Sequence, residues 1–225
     1  MSRDEAFHEE ELNTFTIKIY SDADPTSPRE WDNLGTLIGF RGDRYSFWEE
    51  TRDFELFLRS VGVLPAEDAE YEQNEDGDGE DTETPTLEES LYMEKLKSEC
   101  IWIPVEYHDY GSGGGRFRED SDEEPMGAIY ADLRDIKKWL GDEITKITPE
   151  IKERVTNILK GEIETLDNWT SGEVYGFVIE NSAGDEEDSC WGFFGDYKYC
   201  LEEAKSIVKT YDYQLALPGL EKEGD

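Results

Sequence analysis

The segment "EVYGFVIENSAGDEEDSCWGFFG", Glu173–Gly195, has the clearest pattern of strands in the chain. It contains two short runs, "EVYGFVIE" and "SCWGFFG", which are rich in the aromatic and β-branched residues that favour strands. The segment between them, "NSAGDEED", carries the Asn, Gly and Asp residues that suit a hairpin loop. Strands joined by so short a connection run antiparallel. This part of the chain is therefore predicted to form a β-hairpin.

The second strand of that hairpin lies within "DSCWGFFGD", Asp188–Asp196. Strict alternation puts Trp191 and Phe193 on one face of the strand and Cys190 on the other. Both faces are apolar, so the strand is predicted to be covered on both sides. Cys190 is predicted to be an inert, buried cysteine.

Alternation predicts further strands in the rest of the chain, and capping residues with apolar stripes predict its helices. The strands are predicted at 15–20, 34–40, 100–107 and 126–131, and the helices from Ser46 to about Val61, within 84–99, at 132–140, from Thr148 onward and at 199–211. Hairpins combined with segregated helices are typical of an α+β fold with a mostly antiparallel sheet.

A single α+β domain is predicted over 14–213, with flexible tails at 1–13 and 214–225. Within it, the run of acids at 66–85 is predicted to be a disordered insert. The segment "HDYGSGGGRFREDSDEE", 108–124, is predicted to be a long flexible loop.

Charge is the strongest feature of the composition. The chain has 57 acidic and 22 basic residues, a formal net charge of -35. Such a charge argues against direct binding to nucleic acid or to an anionic membrane, because both require clustered Lys or Arg. Two interpretations remain open. In the first, the carboxylates keep the protein hydrated in molar salt, where charges are screened within about 3 Å. In the second, the carboxylates imitate the phosphates of DNA and occupy the basic groove of a partner.

The three cysteines, Cys100, Cys190 and Cys200, form no CxxC pair. The N-terminus "MSRDEAFHEEELNTF" is polar and acidic, unlike a signal peptide. No apolar run approaches the roughly 20 residues that span a bilayer. These features predict a cytoplasmic protein in a reducing compartment.

The most enzyme-like cluster is Tyr107, His108 and Asp109, since His can act as a general base near neutral pH. Asp32 is a further weak candidate for catalysis, but the glycines at 113–115 do not follow the P-loop pattern. No catalytic residue is therefore assigned, and the chain is more readily interpreted as a protein that is not an enzyme.

A metal site built from Cys190, Cys200 and His108 lacks the usual zinc spacing. Neither a metal nor a cofactor is predicted.

The candidate residues for binding a partner are Trp31, Asp32, Asn33, Tyr107, His108 and Trp191. The first three sit between a proline-rich segment and a predicted strand, where they could be presented to a partner. The alternative is local: Asp32 or Asn33 caps the turn through its own backbone, while Trp31 covers the edge of the sheet.

Two long motifs resemble a known group of proteins. "SPREWDNLGTL", Ser27–Leu37, together with "EVYGFVIE", "DSCWGFFG" and "YCLEEA" at 173–180, 188–195 and 199–204, resembles an uncharacterised family of phages and mobile elements. In that family a middle segment often reads "YDHSG", whereas this chain has "EYHDYGSGGG". The resemblance implies a viral or mobile-element origin, and the charge adds a haloarchaeal host. It brings no activity with it.

These observations favour an accessory protein that acts by binding a host or viral protein in a high-salt cytoplasm. The alternatives are a DNA-mimicking inhibitor of a host defence enzyme, a hydrolase or nucleic-acid-modifying enzyme using His108, and a minor structural protein of a virus.

Overall fold

The computed structural model describes residues 5–40, 47–51, 54–60, 100–110, 114–119 and 125–216. The predicted insert at 66–85 and the predicted helix within 84–99 lie outside the described residues. The described part contains a four-stranded and a five-stranded sheet, both mostly antiparallel, together with four α-helices. The predicted α+β class is therefore confirmed. None of the described helices is both long enough and apolar enough to cross a membrane.

The described elements follow one another in an order close to the predicted one. They are β1 His8–Leu12, β2 Phe15–Ser21, a 3-10 turn Pro28–Glu30, β3 Thr36–Gly39, β4 Glu50–Thr51, α1 Phe54–Ser60, β5 Cys100–Asp109, β6 Gly115–Glu119, β7 Gly127–Asp132, α2 Leu133–Leu140, α3 Pro149–Thr170, β8 Val174–Asn181, β9 Glu186–Phe194 and α4 Tyr197–Ala216.

The chain divides into two compact units. Unit 1 comprises Met1–Glu30, Asp109–Arg116 and Thr165–Asp225, and unit 2 comprises Trp31–His108 and Phe117–Glu164. The C-terminal motifs lie in unit 1. The motif "SPREWDNLGTL" has its first four residues in unit 1 and the rest in unit 2.

Unit 1 is an antiparallel sheet of order β1-β2-β8-β9 with α4 packed on one face. Alternation along β2 turns Ile17 and Ile19 toward the helix, and the register pairs them with Ile179 and Phe177 of β8. Residues of α4 complete this core, and all are buried: Cys200, Leu201, Ala204 and Val208. The period-two pattern of β2 and β8 and the helical stripe of α4 therefore meet in one apolar layer.

Unit 2 contains a sheet of order β4-β3-β7-β5-β6. β3 and β5 both pair antiparallel with β7, and the short β4 pairs parallel with β3. One face carries a cluster of Ile38, Phe57, Cys100 and Ala128, to which α1 contributes Phe57.

The start of β3 is fixed by a carboxylate. The backbone N–H groups of Leu34 and Gly35 donate to Glu162 of α3, with N···O distances of 2.8 Å and 3.2–3.3 Å. A Cβ at Gly35 would overlap Leu159 and Ile129. The "LG" of the N-terminal motif therefore has a structural role in unit 2.

Three short strands differ from the sequence prediction. β1 lies in the predicted N-terminal tail, and β6 lies in the predicted loop at 108–124. The helix predicted from Ser46 begins only at Phe54, because Glu49 exchanges hydrogen bonds with Leu37 and residues 50–51 pair with β3. Each of these segments is stabilised by a neighbouring strand rather than by its own propensity.

The strand β9 also differs from its prediction. Gly192 has φ +84° and forms a bulge, so Trp191 pairs with Gly176 while Phe193 pairs with Tyr175. Because adjacent residues of β8 point to opposite faces, Trp191 and Phe193 lie on opposite faces and not on the same one. β9 is an edge strand, and Cys190 is exposed. The predictions of a doubly covered strand and a buried Cys190 are therefore wrong.

Candidate functional site

The face of the unit 1 sheet opposite α4 carries a tryptophan–tyrosine pair. The register aligns Tyr20 of β2, Gly176 of β8 and Trp191 of β9 in one row across the sheet. The indole lies over Gly176, where a Cβ would overlap it. The ring centroids of Tyr20 and Trp191 are 6.2 Å apart, and Trp191 remains 39% exposed. We call these three residues the platform.

The helix-covered face carries a second aromatic group at the same end of the strands. Phe7, Tyr175 and Tyr197 contact one another, with centroid distances of 5.1–6.2 Å and interplanar angles of 51–66°. The backbone N–H of Phe7 donates to Ile19, which anchors the residue beside β2. Phe7 is nevertheless 54% exposed. We call these three residues the corner.

The platform and the corner together form the aromatic end of unit 1. Tyr199 adds to it, since it is 58% exposed and its ring lies 5.8 Å from that of Phe193. Scattered exposed hydrophobic residues are ordinary, but several large aromatic side chains at one end of a sheet are typical of an interaction surface.

Two carboxylates border the corner. A hydrogen bond from the Gly195 N–H to the Glu173 carbonyl, 2.9 Å long, sets Glu173 and Asp196 side by side in space. Each precedes one of the corner tyrosines, Glu173 by two residues and Asp196 by one. Burial raises the pKa of Tyr175, and the nearby negative charges of Glu173 and Asp196 raise it further. The corner therefore combines aromatic faces with negative potential.

Unit 1 already holds one guanidinium between carboxylates. Arg116 donates to Glu173 at 2.7 and 3.3 Å and to Asp167 at 2.9 Å. Hydrogen bonds to Glu173 and then Asp167 raise the pKa of Arg116 above its ordinary value. The arrangement is the paired, planar recognition for which arginine is suited.

The opposite end of the same sheet is acidic. The turn joining β8 to β9 and the adjoining strand ends contain Glu180, Asp185, Glu186, Glu187 and Asp188. Glu180 is paired with Lys18, with Nζ and Oε2 2.7 Å apart. Asp188 accepts a hydrogen bond of 2.9 Å from the Tyr211 hydroxyl. Thr16 and Tyr20 of β2 are four residue steps apart, so about 13 Å separates the two ends.

Neither edge of this sheet is well suited to adding another strand. β1 presents three consecutive glutamates, Glu9–Glu11, and β9 is interrupted by irregularities between Tyr175 and Gly176 and between Ile179 and Glu180 of its partner strand. Charges and bulges are the features by which edge strands avoid intermolecular pairing. The recognition that this unit offers is therefore through side chains.

The predicted partner-binding residues are distributed over both units. Trp191 belongs to unit 1, whereas Trp31, Asp32, Asn33, Tyr107 and His108 belong to unit 2. Trp31 is 48% exposed and Asp32 is exposed. The Asn33 side chain donates to the Trp31 carbonyl at 3.0 Å, a local bond of the kind expected for a turn.

The predicted catalytic candidates are divided between the units, with Asp32 and His108 in unit 2 and Asp109 in unit 1. His108 Nε2 lies 2.9 Å from Glu106 Oε1, and the ring of Tyr107 contacts Phe47 edge-on and Phe117 at a tilt. No hydrogen bond or ion pair joins Asp32 to His108 in the part of the chain that the structure describes, and Asp109 is assigned to unit 1. The local role of Tyr107 is packing.

Two cysteines of unit 1 have different environments. Cys190 is exposed, whereas Cys200 is buried beneath the sheet. Burial, with a smaller contribution from Cys190, raises the pKa of the Cys200 thiol to about 12. Among the described residues, no group of three or more His, Cys, Asp or Glu side chains is arranged to hold a metal ion.

Sequence reasoning identified Trp191 but missed Phe7, Tyr20 and Tyr197. Tyr20 lies on the outer face of a strand that was predicted, so alternation alone could have marked it. Phe7 is the one aromatic residue in the acidic stretch before Phe15, which was a usable signal. Its contacts with Tyr175 and Tyr197 depend on pairing that the sequence does not show.

A scan against protein-family models, a search of curated proteins and a search of solved structures each gave no match to this chain. The candidate surface is therefore defined by its geometry and electrostatics.

Proposed function

We propose that this chain is a non-catalytic accessory protein of a virus or mobile element, and that it binds another protein through the aromatic end of unit 1. One observation carries the proposal. Phe7, Trp191 and Tyr199 expose 39–58% of their surfaces at one end of a single sheet. Aromatic side chains of this kind supply most of the binding energy in many protein interfaces.

The charge of the chain indicates the character of the partner. A net charge of -35 repels acidic surfaces and attracts basic ones at low salt. In a high-salt cytoplasm this attraction is screened, so affinity there depends on apolar and aromatic contacts. Aromatic side chains beside carboxylates provide both kinds of interaction.

Site-specific photo-cross-linking tests the proposal. A benzophenone side chain at position 199 of the full chain is expected to capture one protein reproducibly from host cells in molar KCl. The same group at position 139, where Trp139 of unit 2 is 41% exposed, serves as the matched control. Capture at 199 is expected to fall sharply in a Trp191→Ala background.

A partner captured equally at positions 139 and 199, or at neither, would contradict the proposal. So would a partner whose capture at 199 is insensitive to Trp191→Ala, since the platform would then lie outside the interface.

The acidic end supports a second candidate, the DNA-mimicking inhibitor of a host defence enzyme. It gathers five carboxylates on the turn and strand ends of one hairpin. In that case the captured partner is a DNA-binding enzyme, and double-stranded DNA competes with the chain for binding to it. Deletion of residues 66–89 is then expected to weaken inhibition of that enzyme. A partner that binds the chain and DNA at the same time excludes mimicry.

A further inference from the structure

The corner has the composition of a site for a cation held against an aromatic face. It presents Phe7 to solvent, backed by Tyr175 and Tyr197, and it is bordered by Glu173 and Asp196. We infer that the corner binds an arginine side chain of a partner protein. This inference rests on the proposed function, because it specifies what the partner places on the aromatic end.

The geometry decides where the guanidinium lies. The three rings of the corner contact one another at 5.1–6.2 Å, so no cation fits between them. Phe7 is the most exposed of the three residues, with 54% of its surface accessible, so the guanidinium lies against its ring. A cation within about 6 Å of that ring centroid gains the electrostatic attraction of the ring quadrupole.

The chemistry favours arginine over lysine. A guanidinium is planar and weakly hydrated, so it stacks on a ring while its N–H groups donate to carboxylates at the rim. An ammonium is compact and strongly hydrated, and it gains less from the aromatic face. Both carboxylate oxygens of Glu173 already accept from Arg116, so the N–H groups of the incoming arginine donate to Asp196.

One residue of the chain competes for the site. Lys198 Nζ lies 3.7 Å from Asp196 Oδ2, and its side chain is 71% exposed. This pair is weak because it is exposed. An incoming arginine displaces Lys198 from Asp196, and removing Lys198 therefore strengthens arginine binding.

Two labelled peptides of equal length and charge, (Gly-Arg)6 and (Gly-Lys)6, test the inference by fluorescence anisotropy with the full chain in 0.1 M and 1 M KCl. The arginine peptide is expected to bind at least about fivefold more tightly than the lysine peptide, equivalent to about 1 kcal/mol. The ratio is expected to persist at 1 M KCl, because stacking is screened less than long-range attraction.

Phe7→Leu is the decisive variant, since it keeps an apolar side chain and removes the ring. It is expected to weaken binding of the arginine peptide about fivefold and to change binding of the lysine peptide less than twofold. Trp139→Leu makes the same aromatic-to-leucine change in unit 2 and is expected to change neither. Lys198→Ala is expected to strengthen arginine binding about twofold.

Equal affinity for the two peptides at both salt concentrations would overturn the inference, because binding would then follow net charge alone. An unchanged arginine affinity in Phe7→Leu, with the far-UV circular dichroism of the native chain, would also overturn it. If the two peptides bind equally while position 199 still captures a partner, the proposed function stands and the arginine site is wrong. If the arginine peptide binds more tightly but no partner is captured, the arginine site stands and the proposed function is wrong.

Discussion

Removal of the Glu162 carboxylate is expected to destabilise unit 2. Glu162 accepts the backbone N–H groups of Leu34 and Gly35, at 2.8 and 3.2–3.3 Å. Leu34 is 4% exposed and Gly35 is buried, so neither amide has ready access to water. Glu162→Ala therefore leaves two buried donors without this acceptor.

The magnitude follows from these contacts. Each hydrogen bond to a charged acceptor contributes about 1.5–3 kcal/mol to stability, and an unsatisfied buried donor costs a similar amount. Because Glu162 is only partly buried, water replaces part of the loss. We expect Glu162→Ala to lower the free energy of unfolding by about 2–3 kcal/mol. Glu162→Gln keeps one acceptor oxygen and should lose about half of that.

Urea unfolding followed by tryptophan fluorescence measures the effect. With a slope of about 2 kcal/mol per molar urea, the midpoint should fall by about 1 M in Glu162→Ala. Hydrogen exchange at the amides of Leu34 and Gly35 should accelerate in parallel. Glu164→Ala is the matched control, because Glu164 is an exposed glutamate on the same helix.

Two results would contradict a stabilising role for Glu162. One is a midpoint within about 0.2 M of the native value for Glu162→Ala, since the lost bonds would then contribute about 0.4 kcal/mol or less. The other is an equal loss in Glu164→Ala, which would indicate a general effect of removing charge from α3.

Three further changes are predictable. Ellman's reagent at pH 8 should modify exposed Cys190 rapidly, whereas Cys200, whose pKa burial raises to about 12, should react only on unfolding. The hydrogen bond to Glu180 raises the pKa of Lys18 above its ordinary value of 10.5. The stability that Lys18 provides, relative to a Lys18→Gln variant, is therefore fully present below pH 10.5 and is lost as the pH rises through the higher pKa of the folded state. Thermal melts of the two proteins across that pH range should show the loss. Gly35→Ala places a Cβ within 2.6 Å of buried side chains of α3 and β7 and should cost about 1–3 kcal/mol or more in urea unfolding.

Each of these has a clear contrary outcome. Rapid modification that persists in Cys190→Ser would show that a buried thiol is accessible. A stability difference between native protein and Lys18→Gln that stays constant from pH 9 to 12 would mean that the pair with Glu180 contributes nothing. An unchanged urea midpoint in Gly35→Ala would show that α3 moves freely enough to admit a methyl group.

The sequence predicted the elements whose signals are local. Alternation identified β2 and β7, and richness in aromatic and β-branched residues identified β8. The helices predicted at 132–140 and from Thr148 onward match α2, which ends at Leu140, and α3, which begins at Pro149. These signals depend on residues close together in the chain, so they can be read without the tertiary structure.

The missed strands have no such signal. β1 reads "HEEEL", and glutamate is depleted in strands, yet its backbone pairs with β2 along its whole length. Trp48 was assigned to a helix, whereas its ring fills the space above Gly39 and Gly127 in unit 2. In both cases a partner distant in sequence supplies the stabilising contacts.

The site was predicted only in part, since Trp191 was identified while Phe7 and Tyr197 were not. Trp191 stands out in a motif of aromatic residues, whereas Phe7 belongs to a stretch that resembles an acidic tail. The prediction that Trp191 and Phe193 share a face of β9 was also wrong, because the bulge at Gly192 shifts the alternation by one residue.

Periodicity, capping residues and composition were enough to predict the α+β class, the positions of β2, β7, β8 and α2, and the acidity of the chain. The contacts of Phe7, Tyr175 and Tyr197 beside Glu173 and Asp196 appear only in the folded chain. They depend on strand register and on long-range hydrogen bonds. Pairings between residues far apart in the chain are set by how whole faces pack, and no local pattern encodes them.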